Sequence, residues 1–178
     1  MNAFDESGWI IGKIGPTNGG PFITLFTASA PAKIPEAELD RAARDLCGAS
    51  ISIEPKKTYL RGAAPLADVA FASVEVPGLE IARILVRTYP VTRGPEQKAR
   101  ALESAKAIGG AGMDWLVIRA TRIIELAPAP GATEAHLLVV AFALATADLA
   151  AIHPAEGGSV FGPKTAREKL GKLGVPLR

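Results

Sequence analysis

A single cysteine, Cys47, stands among 178 residues, so the chain cannot close a disulfide within itself and must be held by packing. Histidine is almost as scarce, represented by His136 and His153 alone. A zinc site needs three or four converging ligands, and neither C-x-x-C nor H-x-x-x-H spacing occurs, so no metal is expected. No cofactor is expected either. Aromatic residues make up 6% of the chain, too few to interleave with basic side chains as a base-stacking platform. A dominant charge is missing as well: 20 Lys+Arg face 18 Asp+Glu, for a net charge of +2. Nucleic-acid binders carry a marked basic excess on one face, and no nucleic-acid partner is therefore expected.

Long apolar runs are also lacking. The most hydrophobic stretch, residues 135–151, contains His136, Thr146 and Asp148 and is followed by His153 and Pro154. A spanning helix needs about 20 mostly apolar residues, so a buried core element is the expectation and a membrane is not. The chain opens with Asp5 and Glu6 where a secretory signal would carry basic residues. Together with the lone cysteine, this makes a cytoplasmic location the expectation.

What the sequence does hold is a core. Hydrophobic residues are 48% and charged residues 21%, and a single domain of this length buries roughly 68–70% of its unfolded-chain surface. The first twenty residues end in GPTNGG and read as a flexible arm, leaving residues 21–178 as one globular domain. Residues 22–28 (FITLFTA) have the composition of a short buried strand. Residues 35–47 place Glu36 and Glu38 early and repeat apolar Leu39, Ala42, Ala43 and Leu46 at helical steps, with Gly48 as terminator. Residues 50–54 alternate as a half-buried strand before a basic turn of Lys56, Lys57 and Arg61. Two further strand-like runs, 69–76 and 79–89, are separated by Pro77-Gly78, a tight-turn signal that makes a hairpin the economical reading, with Pro77 at a bulge as the alternative.

A second helix is expected over 96–108, opened by Pro95 and closed by Gly109-Gly110. Residues 115–126 (WLVIRATRIIEL) fit both periodicities; their Val, Ile and Trp content and the need for another sheet partner assign them to a strand. A buried helix over 133–147, a short strand over 149–153 and a last helix over 164–173 complete the order β-α-β-β-β-α-β-α-β-α. That order implies a layered α+β (or α/β) domain, with a mixed sheet of about five to six strands and about four helices.

Chemistry is harder to find. The run GGSVFGPKT (157–165) nearly spells the phosphate-cradling G-x-x-x-x-G-K-T pattern, but Pro163 displaces Lys164 and removes a backbone donor. A connection in which Pro163 opens the last helix is the better reading. Gly109, Gly110 and Gly112 follow a helix, the reverse of a dinucleotide fingerprint. Cys47, at the C-terminal end of its helix, reads as structural. His136 on an apolar helix reads as an edge or satisfied core residue.

One local grouping joins a histidine, an acid and a hydroxyl: His153, Glu156 and Ser159, on the loop leaving the last strand. They form the candidate ligand-binding set, although a polar turn commonly holds the same three types. A second candidate lies in the local basic excess of residues 83–106, six basic side chains against Glu96 and Glu103. Period-two spacing puts Arg83, Arg87 and Tyr89 on one strand face, which would suit an anion or a partner's acidic patch; a solvated face with Tyr89 against arginine stems is the alternative.

The stretches LVRTYPVTRGPE, WLVIRATRII and DLAAIHPAEGGSVFGP, in that order and spacing, resemble an uncharacterised bacterial family of domains of unknown function. The resemblance implies a bacterial α/β domain and lends no reaction. Two classes of function remain: a small interaction or regulatory module with a protein partner, and an enzyme or small anionic-ligand binder built on His153, Glu156 and Ser159 with Arg87 reaching the anion. A homo-oligomer is expected if the 133–147 element exposes an apolar face.

Overall fold

A computed structural model describes residues 22–29, 35–54, 68–107, 112–154 and 158–178. The expected N-terminal arm, the basic turn at Lys56, Lys57 and Arg61, and Glu156 lie outside the described residues. The strands are β1 (Ile23–Thr27), β2 (Ser50–Glu54), β3 (Asp68–Glu75), β4 (Ala82–Pro90), β5 (Arg122–Pro128) and β6 (Ala151–Pro154). Among the described residues there are five helices: α1 (Glu36–Cys47), α2 (Pro95–Ala107), α3 (Met113–Arg119), α4 (Glu134–Asp148) and, after the last strand, α5 (Pro163–Lys172), with a 3-10 turn at Val91–Arg93.

The six strands form one sheet in the order β2-β3-β4-β5-β1-β6, and every pairing is antiparallel. The α+β reading holds, while the expected mixed sheet does not. Single-helix crossovers do join strands of like direction, as β1–α1–β2 and β5–α4–β6 show. Those strands are not neighbours: β3, β4 and β5 lie between β2 and β1, and β1 is wedged between β5 and β6. Between β4 and β5 the chain passes through two helices, and three reversals of direction return it antiparallel.

The fifth helix comes from the segment read as a single strand, residues 115–126. It is α3 followed by β5. The last helical turn closes with Ala120 N–H on Val117 O, and the next residue donates its N–H to Thr27 O, which starts the ladder with β1. Five helical residues and five strand residues within that window blur both periodicities. The other elements follow their local signals. Gly48 takes a left-handed φ of 75° at the end of α1. Pro77-Gly78 forms a turn closed by Leu79 N–H to Val76 O at 3.0 Å, with φ 85° at Gly78, as glycine at the third turn position allows. Pro163 occupies the first turn of α5.

Alternation along the strands builds two cores. On one face Leu25, Ile51, Val74, Ile84, Val86, Ile124 and Leu126 pack against Leu39, Leu46, Leu138, Leu144 and Leu170 of α1, α4 and α5. Helix α4 has ten buried residues, so it offers no apolar face for self-association. On the other face Phe26, Tyr89, Ile123 and Ala151 pack with Ala101 and Ala105 of α2 and Val117 of α3. Gly94, after the 3-10 turn, approaches this second core so closely that a Cβ would lie 2.6 Å from Ile123 Cδ1 and 2.9 Å from Tyr89 Cε2.

Both sheet edges are occupied by the protein's own groups. At β2, Ile51 N–H donates to Asp40 Oδ1 at 2.9 Å and Ile53 N–H to Glu36 Oε2 at 3.0 Å. The spacing matches: four helical residues advance about 6 Å, and two strand residues about 6.7 Å. At β6, Ile152 exchanges both backbone hydrogen bonds with Phe161. Such protection blocks edge-to-edge pairing at these positions.

Candidate functional site

The second face of the sheet carries a polar row. Arg87 is opposite Glu125, Glu125 opposite Thr24 and Thr24 opposite His153. Residues directly across an antiparallel pair point to the same face, so these four side chains cross four strands side by side. The neighbouring row, Tyr89, Ile123, Phe26 and Ala151, is the apolar core under α2 and α3.

Arg87 and Tyr89, expected on one strand face, do share it, but that face is closed. Arg87 is 3% exposed and Tyr89 1%. The guanidinium of Arg87 lies 4.4 Å from the centre of the Tyr89 ring and 3.2 Å from Glu125 Oε2. The Tyr89 hydroxyl donates to Glu125 Oε1. Burial pushes the Glu125 carboxyl above the usual range, against the opposing pull of the Tyr89 hydroxyl and the Arg87 charge. Burial, followed by the charge and hydrogen bond of Glu125, pushes the Tyr89 hydroxyl up as well. Period-two spacing could not reveal Glu125, since its pairing with Arg87 depends on the β4–β5 register.

Arg83 stands apart, exposed, 3.6 Å from Glu54 and over the Phe71 ring at 4.2 Å. His153 is at the far end of the polar row, half-buried. With strands about 4.8 Å apart it sits about 10 Å from Glu125 and about 14 Å from Arg87. Burial and the Arg100 charge lower its pKa, against a hydrogen bond with the Gly158 backbone. Ser159 is exposed, and Ser104 of α2 ties the same loop down by donating to Gly158 O at 2.8 Å. The row thus gathers His153 and Arg87 with two residues the sequence did not single out, Thr24 and Glu125, and Tyr89 joins it from the neighbouring row through its hydroxyl. Because the Arg87 charge is matched by Glu125, an anion reaching it would compete with a carboxylate already in place.

His136 is a satisfied core residue. Its Nδ1 accepts from Thr133 N–H at 3.1 Å and lies 2.8 Å from Thr133 Oγ1, while Nε2 lies 2.9 Å from Glu80 O. It completes a capping box at the start of α4 and ties that helix to the β3–β4 hairpin. Cys47 is buried, with its thiol pushed up by desolvation against Ala49 N–H and Arg178, in keeping with a structural role. No group of three or more His, Cys, Asp or Glu side chains arranged for a metal occurs among the described residues, and no described helix is long and apolar enough to cross a membrane.

An open concavity lies elsewhere. At the hairpin end of the sheet, the Pro77-Gly78 turn, the first turn of α4 and the segment after α5 enclose a groove of about 630 Å³. Pro77, Leu79, Ala135, Leu173, Val175 and Pro176 line it, and Glu134 is the charged side chain on its wall. Leu79 and Leu173 are 41% and 46% exposed, and Ile81, two residues beyond Leu79, is 66% exposed. The walls are held in place: His136 fixes the hairpin to α4, and the C-terminal segment docks through Val175 N–H to Leu170 O and Arg178 N–H to Leu46 O. Sequence periodicity could not find this groove, because three connections distant in the chain build it.

Comparison of the chain with protein-family models, curated proteins and solved structures gives no significant match.

Proposed function

We propose that the protein is a small interaction module that seats an apolar segment of a partner protein, bearing one Lys or Arg, in the groove between the β3–β4 turn, α4 and the C-terminal segment. The observation that carries this reading is the exposure of Leu79 and Leu173 on the walls of a concavity otherwise lined by Ala, Val, Pro, Gly and Thr133, beside the Glu134 carboxylate. Large apolar side chains left open around a groove lose water when a partner covers them. Glu134 supplies orientation by pairing with a cation at the rim. Strand addition is a poorer mode here, since the edge positions Ile51, Ile53 and Ile152 already have partners.

The small-ligand reading draws support from the row Arg87–Glu125–Thr24–His153, where burial perturbs the titration of Glu125 and His153. Its weakness is access, because Arg87, Glu125 and Thr24 are all buried.

A displayed library of dodecapeptides selected on the wild-type protein tests the module. Selected peptides should combine apolar residues with a Lys or Arg, and Leu173→Asp should weaken them at least tenfold. Binding unchanged by Leu173→Asp, or enrichment of acidic peptides, would overturn the reading.

A further inference from the structure

The chain itself holds a segment with the chemistry proposed for the groove's occupant. Residues 9–14 read Trp-Ile-Ile-Gly-Lys-Ile, four large apolar side chains around one cation, and Lys13 is the one basic side chain in residues 1–21. The flanks differ in kind: Asp5, Glu6 and Ser7 precede the run, and Gly15-Pro16-Thr17-Asn18-Gly19-Gly20 follows it. An apolar island between polar and turn-forming stretches gains free energy by covering another apolar surface. The groove offers the complement, with Leu79, Leu173 and Val175 on its walls beside the Glu134 carboxylate.

Strand register brings the two within reach of each other. Ile23 pairs with Leu126 and Pro154, and Pro128 pairs with Ile84. β1 therefore begins at the end of the sheet where β5 stops and β4 starts, the end that holds the Pro77-Gly78 turn and the first turn of α4. Only β5 separates β1 from β4, so β1 starts about 10 Å to the side of the hairpin's second strand. Ile14 and Phe22 are eight residues apart, and eight residues span up to about 26–29 Å. The glycines, prolines and Asn18 between them are the residue types that permit a bend back over the sheet end.

We infer that residues 9–14 of the same chain occupy the groove in the free protein, with Trp9 and the isoleucines covering Leu79 and Leu173 and with Lys13 paired to Glu134, so that a partner must displace them. This occupancy rests on the proposed reading of the groove as a seat for an apolar segment with one cation, and it adds the regulation of that site. A short tether holds the segment at an effective concentration on the order of millimolar. A contact of millimolar intrinsic strength then keeps the groove closed about half of the time and weakens a competing partner about twofold.

Methyl NMR of full-length chains tests the contact. Replacing Trp9→Ser and Ile11→Ser together should move the Leu79, Leu173 and Val175 methyl resonances while those of Val117 stay in place. Lys13→Glu should move the same signals, and Lys13→Arg should leave them at their wild-type positions. A synthetic decapeptide of residues 7–16, titrated into the Trp9→Ser, Ile11→Ser variant, should return the signals toward their wild-type positions, and it should bind the wild type at least twofold more weakly. Groove methyls indifferent to the substitutions, or a decapeptide that fails to reach them, would overturn the inference. Wild-type signals that move toward the variant's on dilution from 400 to 20 μM would overturn it as well, since they would assign the occupant to a second copy. Library-selected peptides that bind the groove equally well in the wild type and the variant would sink the regulation and leave the interaction module standing. A decapeptide that docks as described while no foreign peptide is enriched would strike the module and uphold the contact within the chain.

Discussion

Arg87 and Glu125 face each other across β4 and β5, with Nη2 3.2 Å from Oε2 and side chains 3% and 5% exposed. A buried charge pair stabilises little relative to well-packed apolar residues, yet removing one member strands the other. Arg87→Met alone should cost about 3–5 kcal/mol, and Arg87→Met with Glu125→Leu should cost much less. Urea unfolding of the full double-mutant cycle measures this. Additive losses would show that the two side chains act separately.

The same carboxyl gives a pH signature. Burial, opposed by Tyr89 and Arg87, raises Glu125 above its ordinary value. An acid whose folded pKa is raised contributes stability that is present below its unfolded pKa and is lost as pH rises through the folded one. Glu125→Gln should therefore flatten the decline in stability between the ordinary carboxylate pKa and the raised folded one. A variant with the same slope as the wild type would contradict the assignment.

Asp40 carries the opposite sign. Burial works to raise its pKa, but the Ile51 N–H and the Arg44 guanidinium at 2.7 Å outweigh it, and the carboxyl ends below the ordinary value of 3.8. Its contribution is present above the unfolded pKa and lost as pH falls through the folded one. Asp40→Ala leaves the Ile51 amide without its carboxylate and should cost about 1–2 kcal/mol at neutral pH, with the difference from wild type shrinking in acid. Hydrogen exchange at the Ile51 amide should accelerate in this variant; unchanged protection would contradict the edge contact.

His136→Phe removes the ring nitrogens that meet Thr133 and Glu80. It should cost about 1–3 kcal/mol, the range for leaving buried polar groups unsatisfied. Exchange protection should fall at the first turn of α4 while the amides of α5 stay protected. Equal loss in both places would mean that His136 supports the whole core rather than the hairpin junction.

Much of the fold was legible because local signals agree with their tertiary setting. Glu36 and Glu38 before an apolar stripe, Gly48 after it, Pro77-Gly78 between two strands and Pro163 before a helix each mark a boundary that the structure keeps. Residues 113–128 were not legible as two elements, because the switch at Ala120 is set by the hydrogen bond from Thr121 to Thr27, which lies far back in the chain. The antiparallel sheet was equally hidden, since the insertion of β1 between β5 and β6 is a tertiary choice. Of the candidate site, the shared face of Arg87 and Tyr89 followed from spacing. Its burial, and the roles of Glu125 and Thr24, follow from strand register, which no single stretch encodes.

The groove is the centre of the functional account, and its chemistry is tested most directly by methyl NMR of the full chain titrated with a library-selected apolar peptide carrying one Lys. The account predicts shifts concentrated at the methyls of Leu79, Leu173 and Val175, and at least fivefold weaker binding to Glu134→Gln. Shifts concentrated on the opposite side of the sheet, at Ile118 or Val117, or an affinity indifferent to Glu134, would contradict it.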